Sequence, residues 1–117
     1  MKLKSLCVLI LTLVILNSCD YRTPSKDRFE KITKIELSDS INVTEDRFES
    51  AGPDYGLFYK FDLNENDCLA FKSKMKESEG WINKNGIWTF HKTVDGIIYN
   101  ITFSEKECDV SYNEDLI

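Results

Sequence analysis

The chain has few of the residues that build catalytic and metal centres. It contains one histidine, His91, in 117 residues and no Cys-x-x-Cys pair. A lone histidine cannot build a zinc site, which takes three or four protein ligands. No Gly-x-Ser-x-Gly sequence presents a nucleophilic serine near it. We therefore predict that His91 is an ordinary surface residue, and the sequence indicates neither an enzyme nor a bound cofactor.

Two further absences narrow the class of protein. The apolar run that begins after Lys4 is shorter than the roughly 20 residues that a membrane-spanning helix needs. Acidic residues outnumber basic ones, 20 to 15, so the basic footprint of a nucleic-acid-binding protein is missing. The same acidic excess argues against adhesion to anionic lipid headgroups by net charge.

The N-terminus carries the pattern of an export signal. Met1, Lys2 and Lys4 form a cationic start, and residues 9–16 are apolar except for Thr12. A charged segment followed by a short apolar segment is typical of a secretory signal peptide. We therefore expect residues 1–18 to direct the chain out of the cytoplasm.

The apolar run ends in Leu16-Asn17-Ser18-Cys19, which resembles the lipobox of bacterial lipoproteins. In that family a leucine lies three residues before an invariant cysteine and a small residue directly before it; only Asn17 departs from the usual pattern. The resemblance implies that Cys19 is lipidated, that the chain is cut before it, and that its new amine is acylated. More than one acyl chain is enough for stable membrane attachment.

The resemblance implies a location and a division of the chain. The protein would be anchored to the inner or outer membrane of a bacterial cell envelope, facing the periplasm or the cell surface. Residues 1–18 would be the signal peptide, residues 19–26 the lipidated N-terminus and tether, and residues 27–117 one small domain. Loss of residues 1–18 removes two lysines and leaves 13 basic and 20 acidic residues, a net charge of -7. Membrane contact is therefore expected through the acyl chains.

The cysteines reduce to one pair under this assignment. Of the four, Cys7 leaves with the signal peptide and Cys19 carries lipid. Cys68 and Cys108 remain, and in an oxidising envelope such a pair is expected to form a disulfide. A redox-active role is the alternative, but the two residues are far apart in sequence.

The apolar pattern of residues 27–117 predicts an α+β domain. Phe29 and Ile32 suggest a short N-terminal helix. Alternating apolar residues indicate half-buried antiparallel strands, most clearly around Tyr59. We predict a sheet of about four to five strands, with hairpin turns at Asn85-Gly86 and Asp95-Gly96, and one main helix at about 64–79 packed across it.

The predicted main helix links the cysteines to this packing. Cys68, Phe71 and Met75 fall on one helix face. Cys108 and Val110 alternate in the last predicted strand. The two cysteines can meet if the helix rests on the sheet, which is the main tertiary prediction.

Two acidic segments are candidates for chemistry, and each has a simpler interpretation. Residues 62–66 follow the first half of an EF-hand calcium loop, but Asp67 stands where glycine is required and Ser73 where the bidentate glutamate belongs. Helix capping by Asn64 or Asn66 explains the segment better. The second segment comprises Glu105, Glu107 and Asp109, which we interpret as a solvated hairpin.

The domain is rich in large aromatic side chains, of which Trp81 and Phe58 are predicted to be the most exposed and so the candidate binding aromatics. With no catalytic constellation, we expect a small binding or accessory module of unknown ligand, whose partner is an envelope protein or glycan. The alternative is an inhibitor or immunity protein whose acidic surface suits a basic toxin or hydrolase. A glycan-active enzyme that uses the carboxylates is a third, weaker hypothesis.

Overall fold

The structure is a computed structural model that describes residues 23–116. The predicted signal peptide, the lipobox and Cys19 lie outside the described residues. Two helices and six strands follow one another in the order α1 (Ser25–Thr33), β1 (Asn42–Ala51), β2 (Asp54–Asp62), α2 (Glu65–Glu77), β3 (Trp81–Lys84), β4 (Ile87–Val94), β5 (Ile97–Ser104) and β6 (Asp109–Leu116). The α+β class predicted from the sequence fits this architecture. Helix α1 begins at Ser25, so the last two residues of the predicted tether are helical.

The six strands form one antiparallel sheet in the order β1-β2-β6-β5-β4-β3. The predicted number of four to five strands is therefore wrong. Strand β1 is an edge strand of ten residues, and its sequence has almost no apolar alternation because most of its side chains are exposed. Strand β3 at the other edge has four residues, which is too short for a periodic signal.

Both helices cover the same face of the sheet. The ring of Phe29 on α1 lies 5.5 Å from that of Phe61, 6.1 Å from Phe71 on α2 and 5.8 Å from Tyr112 on the central strand β6. Phe29, Phe61 and Tyr112 are fully buried. The core therefore lies between the two helices and one side of the sheet, and the other side carries no helix from the described part of the chain.

Helix α2 starts where the sequence predicts it. The side chain of Asn64 accepts a hydrogen bond from the backbone N–H of Asp67 at 2.8 Å, so Asn64 is the N-cap. Cys68, Phe71 and Met75 are its buried residues, as predicted. The helix ends at Glu77, two residues earlier than expected. Within residues 23–116, no helix is long and apolar enough to cross a membrane.

The predicted cysteine pair is confirmed to lie at disulfide distance, with the Cα atoms of Cys68 and Cys108 5.7 Å apart. The predicted position of Cys108 on a strand is wrong. It lies in the turn between β5 and β6 with φ of 53°, and its backbone N–H donates to the Ser104 carbonyl at 2.9 Å. The left-handed backbone turns its side chain towards α2, which continued strand alternation could not predict.

The two predicted hairpin turns are confirmed. Asn85 and Gly86 have φ of 54° and 82°, and Asp95 and Gly96 have φ of 52° and 80°. Positive φ at both central residues is the mark of a type I′ turn, which matches the twist of the flanking strands. The turns fix the register of β3, β4 and β5 and so decide which side chains share a face.

Candidate binding surface

The uncovered side of the sheet, here called the open face, brings polar side chains from five strands into rows. The pairing register places Arg47, Phe58, Asn113, Asn100 and His91 side by side from β1 to β4. These residues are exposed or half-buried. The prediction that His91 lies on the surface, opposite the side of Trp88 and Phe90, is confirmed.

A second row on the open face is built from hydroxyl groups. Ser111, Thr102 and Thr89 are successive partners on β6, β5 and β4. Next to them, Nδ1 of His91 and Oδ1 of Asn100 lie 2.6 Å apart. The centre of the open face is therefore uncharged but rich in hydrogen-bonding groups.

Phe58 is the aromatic residue of the open face. It is half-buried rather than exposed, because the guanidinium carbon of Arg47 lies 4.4 Å from its ring centroid. Such a stacked cation is attracted by the face of the ring. Arg47 is held in turn by Glu45, 3.4 Å from Nη2, and by Glu49. Phe58, which the sequence predicts as a binding aromatic, thus forms a flat pair with Arg47 at the β1 side of the open face.

Charged side chains flank the uncharged centre on the β1 side and at the strand ends. They lie on β1 and β2 or near strand ends, and they comprise Glu45, Arg47, Glu49, Lys60, Asp62, Lys84, Asp109 and Asp115. The five longer strands, about 4.8 Å apart and with eight residues at about 3.3 Å each, give an open face of roughly 600 Å². This size approaches the roughly 800 Å² that each partner contributes to a standard protein–protein interface.

Two carboxylates meet at one end of the open face. Asp62 on β2 and Asp109 on β6 are direct cross-strand partners. Burial, and next the negative charge of Glu107 nearby, raise the pKa of Asp109 above its usual range. Like charges directly opposite each other destabilise a sheet. This end of the surface therefore concentrates negative charge.

Trp81, the other predicted binding aromatic, does not belong to the open face. Pairing of β3 with β4 sets it opposite Phe90, with ring centroids 5.3 Å apart, and Phe71 of α2 lies 6.2 Å from it. Its expected exposure is wrong, because it packs half-buried against the core. Its indole N–H is buried without a hydrogen-bond partner among the described residues.

The acidic turn after β5 is more than a solvated hairpin. Glu105 accepts a hydrogen bond from the indole N–H of Trp88 at 2.8 Å and pairs with Lys72 of α2 at 3.3 Å. The Trp88 hydrogen bond, followed by the contact with Lys72, holds the pKa of Glu105 below its usual range. The carboxylate therefore ties α2 to the sheet, which the sequence did not indicate.

The sequence interpretation also missed a buried carboxylate, Glu114, on the helix-covered side. It is 1% exposed and accepts hydrogen bonds from Arg28 at 2.5 Å, from the Tyr112 hydroxyl at 2.5 Å and from the Tyr55 hydroxyl. Burial and the hydrogen bond to Glu114 raise the pKa of Tyr55 to about 12 and raise that of Tyr112 further. Side chains alternate between the two faces of a strand, so the buried positions of Val110 and Tyr112 would have predicted that Glu114 is also buried.

The carboxylates do not gather into a metal site. No group of three or more His, Cys, Asp or Glu side chains in residues 23–116 is arranged to hold a metal ion. In the segment that partly follows a calcium loop, Asn64 and Asp67 form the cap of α2. The capping prediction is thus confirmed for Asn64.

Comparison of the chain with protein-family models, curated proteins and solved structures gives no match in any of the three.

Proposed function

We propose that the protein is a lipid-anchored envelope module, without catalytic activity, that binds a protein partner through the open face of its sheet. The arrangement of the open face carries the proposal. Protein interfaces place few charges at their centre and a polar, solvated rim around it. The rows through Asn113, Asn100 and Thr102, with charged neighbours towards β1 and the strand ends, follow this plan.

The Arg47–Phe58 pair supports the same assignment. Arginine and phenylalanine are enriched at protein interfaces. A stacked arginine is already ordered before binding, since Glu45 and Glu49 fix its guanidinium. Less side-chain entropy is then lost on association. The pair thus provides a rigid, flat contact beside the hydrogen-bonding centre.

The second candidate, an inhibitor or immunity protein against a basic envelope toxin or hydrolase, is favoured by Asp62 and Asp109. Their juxtaposition costs stability, and Glu107 nearby adds further negative charge. A basic group on a target would neutralise both carboxylates and convert that cost into binding energy. In this case the acidic end of the open face would contact the target first.

Variants of the open face test the binding function. Mature wild-type protein on a resin is compared with Thr102→Arg, at the centre of the open face, and with Ser73→Arg, on the exposed side of α2. We expect an envelope protein that is retained by the wild type and by Ser73→Arg but is lost with Thr102→Arg. Equal retention by both variants would overturn the assignment, as would substrate turnover by a protein that retains no partner.

The lipid anchor has a separate test. Mass spectrometry of protein extracted from membranes should show an N-terminal peptide that begins at Cys19 and carries acyl chains, and Cys19→Ala should release the protein from the membrane fraction. A peptide that begins at Met1, or an unmodified Cys19, would contradict lipidation. This result is independent of the open face, so the two parts of the proposal stand or fall separately.

The two candidate functions differ in what loss of the gene does. If the protein neutralises a basic toxin, cells without it become sensitive to that toxin, and Asp62→Asn with Asp109→Asn fails to restore protection. If it is an accessory module, such cells show no change in toxin sensitivity. Glutamine replacement of Glu105 and Glu107 keeps a hydrogen-bond acceptor for Trp88 and should leave either function intact, whereas an enzyme that uses these carboxylates would lose activity.

A further inference from the structure

A cleft of about 480 Å³ lies on the other side of the molecule from the open face, between the end of α1 and the β4–β5 hairpin. Its apolar wall is formed by Ile32 of α1 and by Val94, Ile97 and Tyr99 of the hairpin. The inner end is closed by the ion pair of Arg28 and Glu114. The proposed partner surface uses none of these residues.

The opening of the cleft, here called the lip, is positively charged although the protein is strongly acidic. Lys31, Lys34 and Lys92 line it, all three exposed, and outside the Arg28–Glu114 pair the described lining has one carboxylate, that of Asp95. Arg28 and Glu114 neutralise each other. The mature chain has a net charge of -7, so this concentration of cations runs against the overall balance. Apolar walls below a cationic lip fit an anion that is attached to an apolar group.

Lys34 occupies a backbone position that favours glycine. It is the C-cap of α1 with φ of 63° and ψ of 20°, in the left-handed region that glycine usually occupies at helix ends. A side chain there carries a conformational cost that glycine avoids. The lysine side chain therefore stands at the lip of the cleft at a position where glycine would be less strained.

The cleft also lies close to the proposed membrane anchor. Thr23 lines it, and only four peptide links separate Thr23 from Cys19. Four links span at most about 15 Å. If Cys19 is lipidated, as proposed above, the lip of the cleft is within reach of the lipid headgroups around the anchor.

We infer that this cleft binds the phosphate of an anionic phospholipid in the membrane that holds the protein. Lys31, Lys34 and Lys92 contact the phosphate, and the apolar wall contacts the first methylene groups of an acyl chain. The inference rests on the proposed lipid anchor. Binding at the cleft would fix the orientation of the domain on the membrane, which a flexible tether alone does not.

Lysine labelling in vesicles tests the inference on the full chain purified from membranes. The protein is reconstituted into vesicles of phosphatidylcholine alone or mixed with phosphatidylglycerol, treated with an amine-reactive reagent, and analysed by mass spectrometry. We expect several-fold lower labelling of Lys31, Lys34 and Lys92 in the mixed vesicles. The exposed Lys60 and Lys106 serve as internal controls and should label equally in both. Equal labelling of the cleft lysines in both vesicles would overturn the inference.

Two further arms separate the explanations. Inorganic phosphate added to phosphatidylcholine vesicles should not protect the cleft lysines from labelling. Protection by phosphate would show that the cleft binds a free small anion and not a lipid. Lys34→Gly should abolish the protection of Lys92 while the thermal midpoint stays equal or rises, since glycine removes the left-handed strain. If Lys92 remains protected in this folded variant, the lysines of the lip do not bind the phosphate together.

Flotation distinguishes failure of the anchor from failure of the cleft. A lipidated chain floats with phosphatidylcholine vesicles whatever the state of the cleft. If the chain does not float with these vesicles, the proposal of a lipid anchor is wrong. Phospholipid binding by the cleft is then tested by flotation with the mixed vesicles alone. Flotation with the mixed vesicles should be lost in Lys34→Gly. If the wild type does not float with them either, phospholipid binding by the cleft is also wrong.

Discussion

Nη1 of Arg28 lies 2.5 Å from Oε2 of Glu114, an ion pair that joins the first helix to the central strand across 86 residues of sequence. The carboxylate also accepts hydrogen bonds from the hydroxyls of Tyr55 and Tyr112. A buried charge is tolerated only when it is paired and hydrogen-bonded. These donors therefore explain how an ionised side chain resides in the core, and they make the position of α1 dependent on one residue of β6.

Replacing Glu114 by glutamine should destabilise the fold strongly. The substitution leaves the half-buried Arg28 without its counter-charge, and breaking a buried pair costs about 3 kcal/mol or more in the free energy of unfolding. Urea unfolding followed by tryptophan fluorescence measures the change. The matched control is Glu49→Gln, which breaks the exposed pair with Arg47 and should cost less than about 1 kcal/mol. Equal effects of the two substitutions would show that the buried pair contributes no more than a surface one.

The protein should lose stability in alkali between pH 10 and about 12. The pKa of Tyr55 is about 12 in the folded state and about 10 when unfolded. A raised folded pKa gives stability that is complete below the unfolded value and is lost as the pH rises through the folded value. Thermal midpoints measured across this range should fall less steeply for Tyr55→Phe than for the wild type. Parallel curves would contradict the role of the Tyr55 hydroxyl.

Removal of the Cys68–Cys108 pair should lower the free energy of unfolding by about 4 kcal/mol, the chain-entropy value for a loop of this length. The double variant Cys68→Ala, Cys108→Ala avoids leaving a lone thiol, and chemical denaturation compares it with the wild type. Thiol counting on denatured mature protein is the accompanying check. Two reactive thiols in protein taken from the envelope would rule out the disulfide there.

Asp109→Asn should stabilise the protein at neutral pH while it weakens binding of a basic partner. The substitution removes the cross-strand repulsion from Asp62, which is worth roughly 0.2 to 1 kcal/mol. The pKa of Asp109 is raised in the folded state, so the gain should shrink as the pH falls and the wild-type carboxyl is protonated. Calorimetry at neutral and acidic pH measures the gain, and a destabilised variant would show that this carboxylate has a structural partner.

The sequence predicts those parts of the fold in which one residue decides a local conformation. Asn-Gly and Asp-Gly fix two hairpins, Asn64 caps α2, and alternation defines β2 and β5. The predicted number of strands is too low, because β1 is largely polar and β3 has only four residues. The prediction also fails at Cys108 because the left-handed backbone there ends the alternation that the prediction continued.

The candidate site was harder to predict because its residues are ordinary ones. Thr89, Thr102 and Ser111 are what any solvent-facing strand carries, and only the pairing register brings them into one row. The hairpin turn at Asn85-Gly86 implies that Trp81 pairs with Phe90, but the packing of Phe71 of α2 against Trp81 cannot be read from the sequence. Phe58 lies on the proposed surface, but its stacking on Arg47 depends on how β1 pairs with β2.

The most direct test of the open face as the interface is photo-crosslinking in living cells. A photoreactive amino acid is placed at Asn100, at the centre of the open face, or at Ser73, on the exposed side of α2, in the full-length lipidated chain. We predict a discrete crosslinked product with one envelope protein from position 100 and none from position 73. No product from position 100, or the same product from both positions, would contradict binding through the open face.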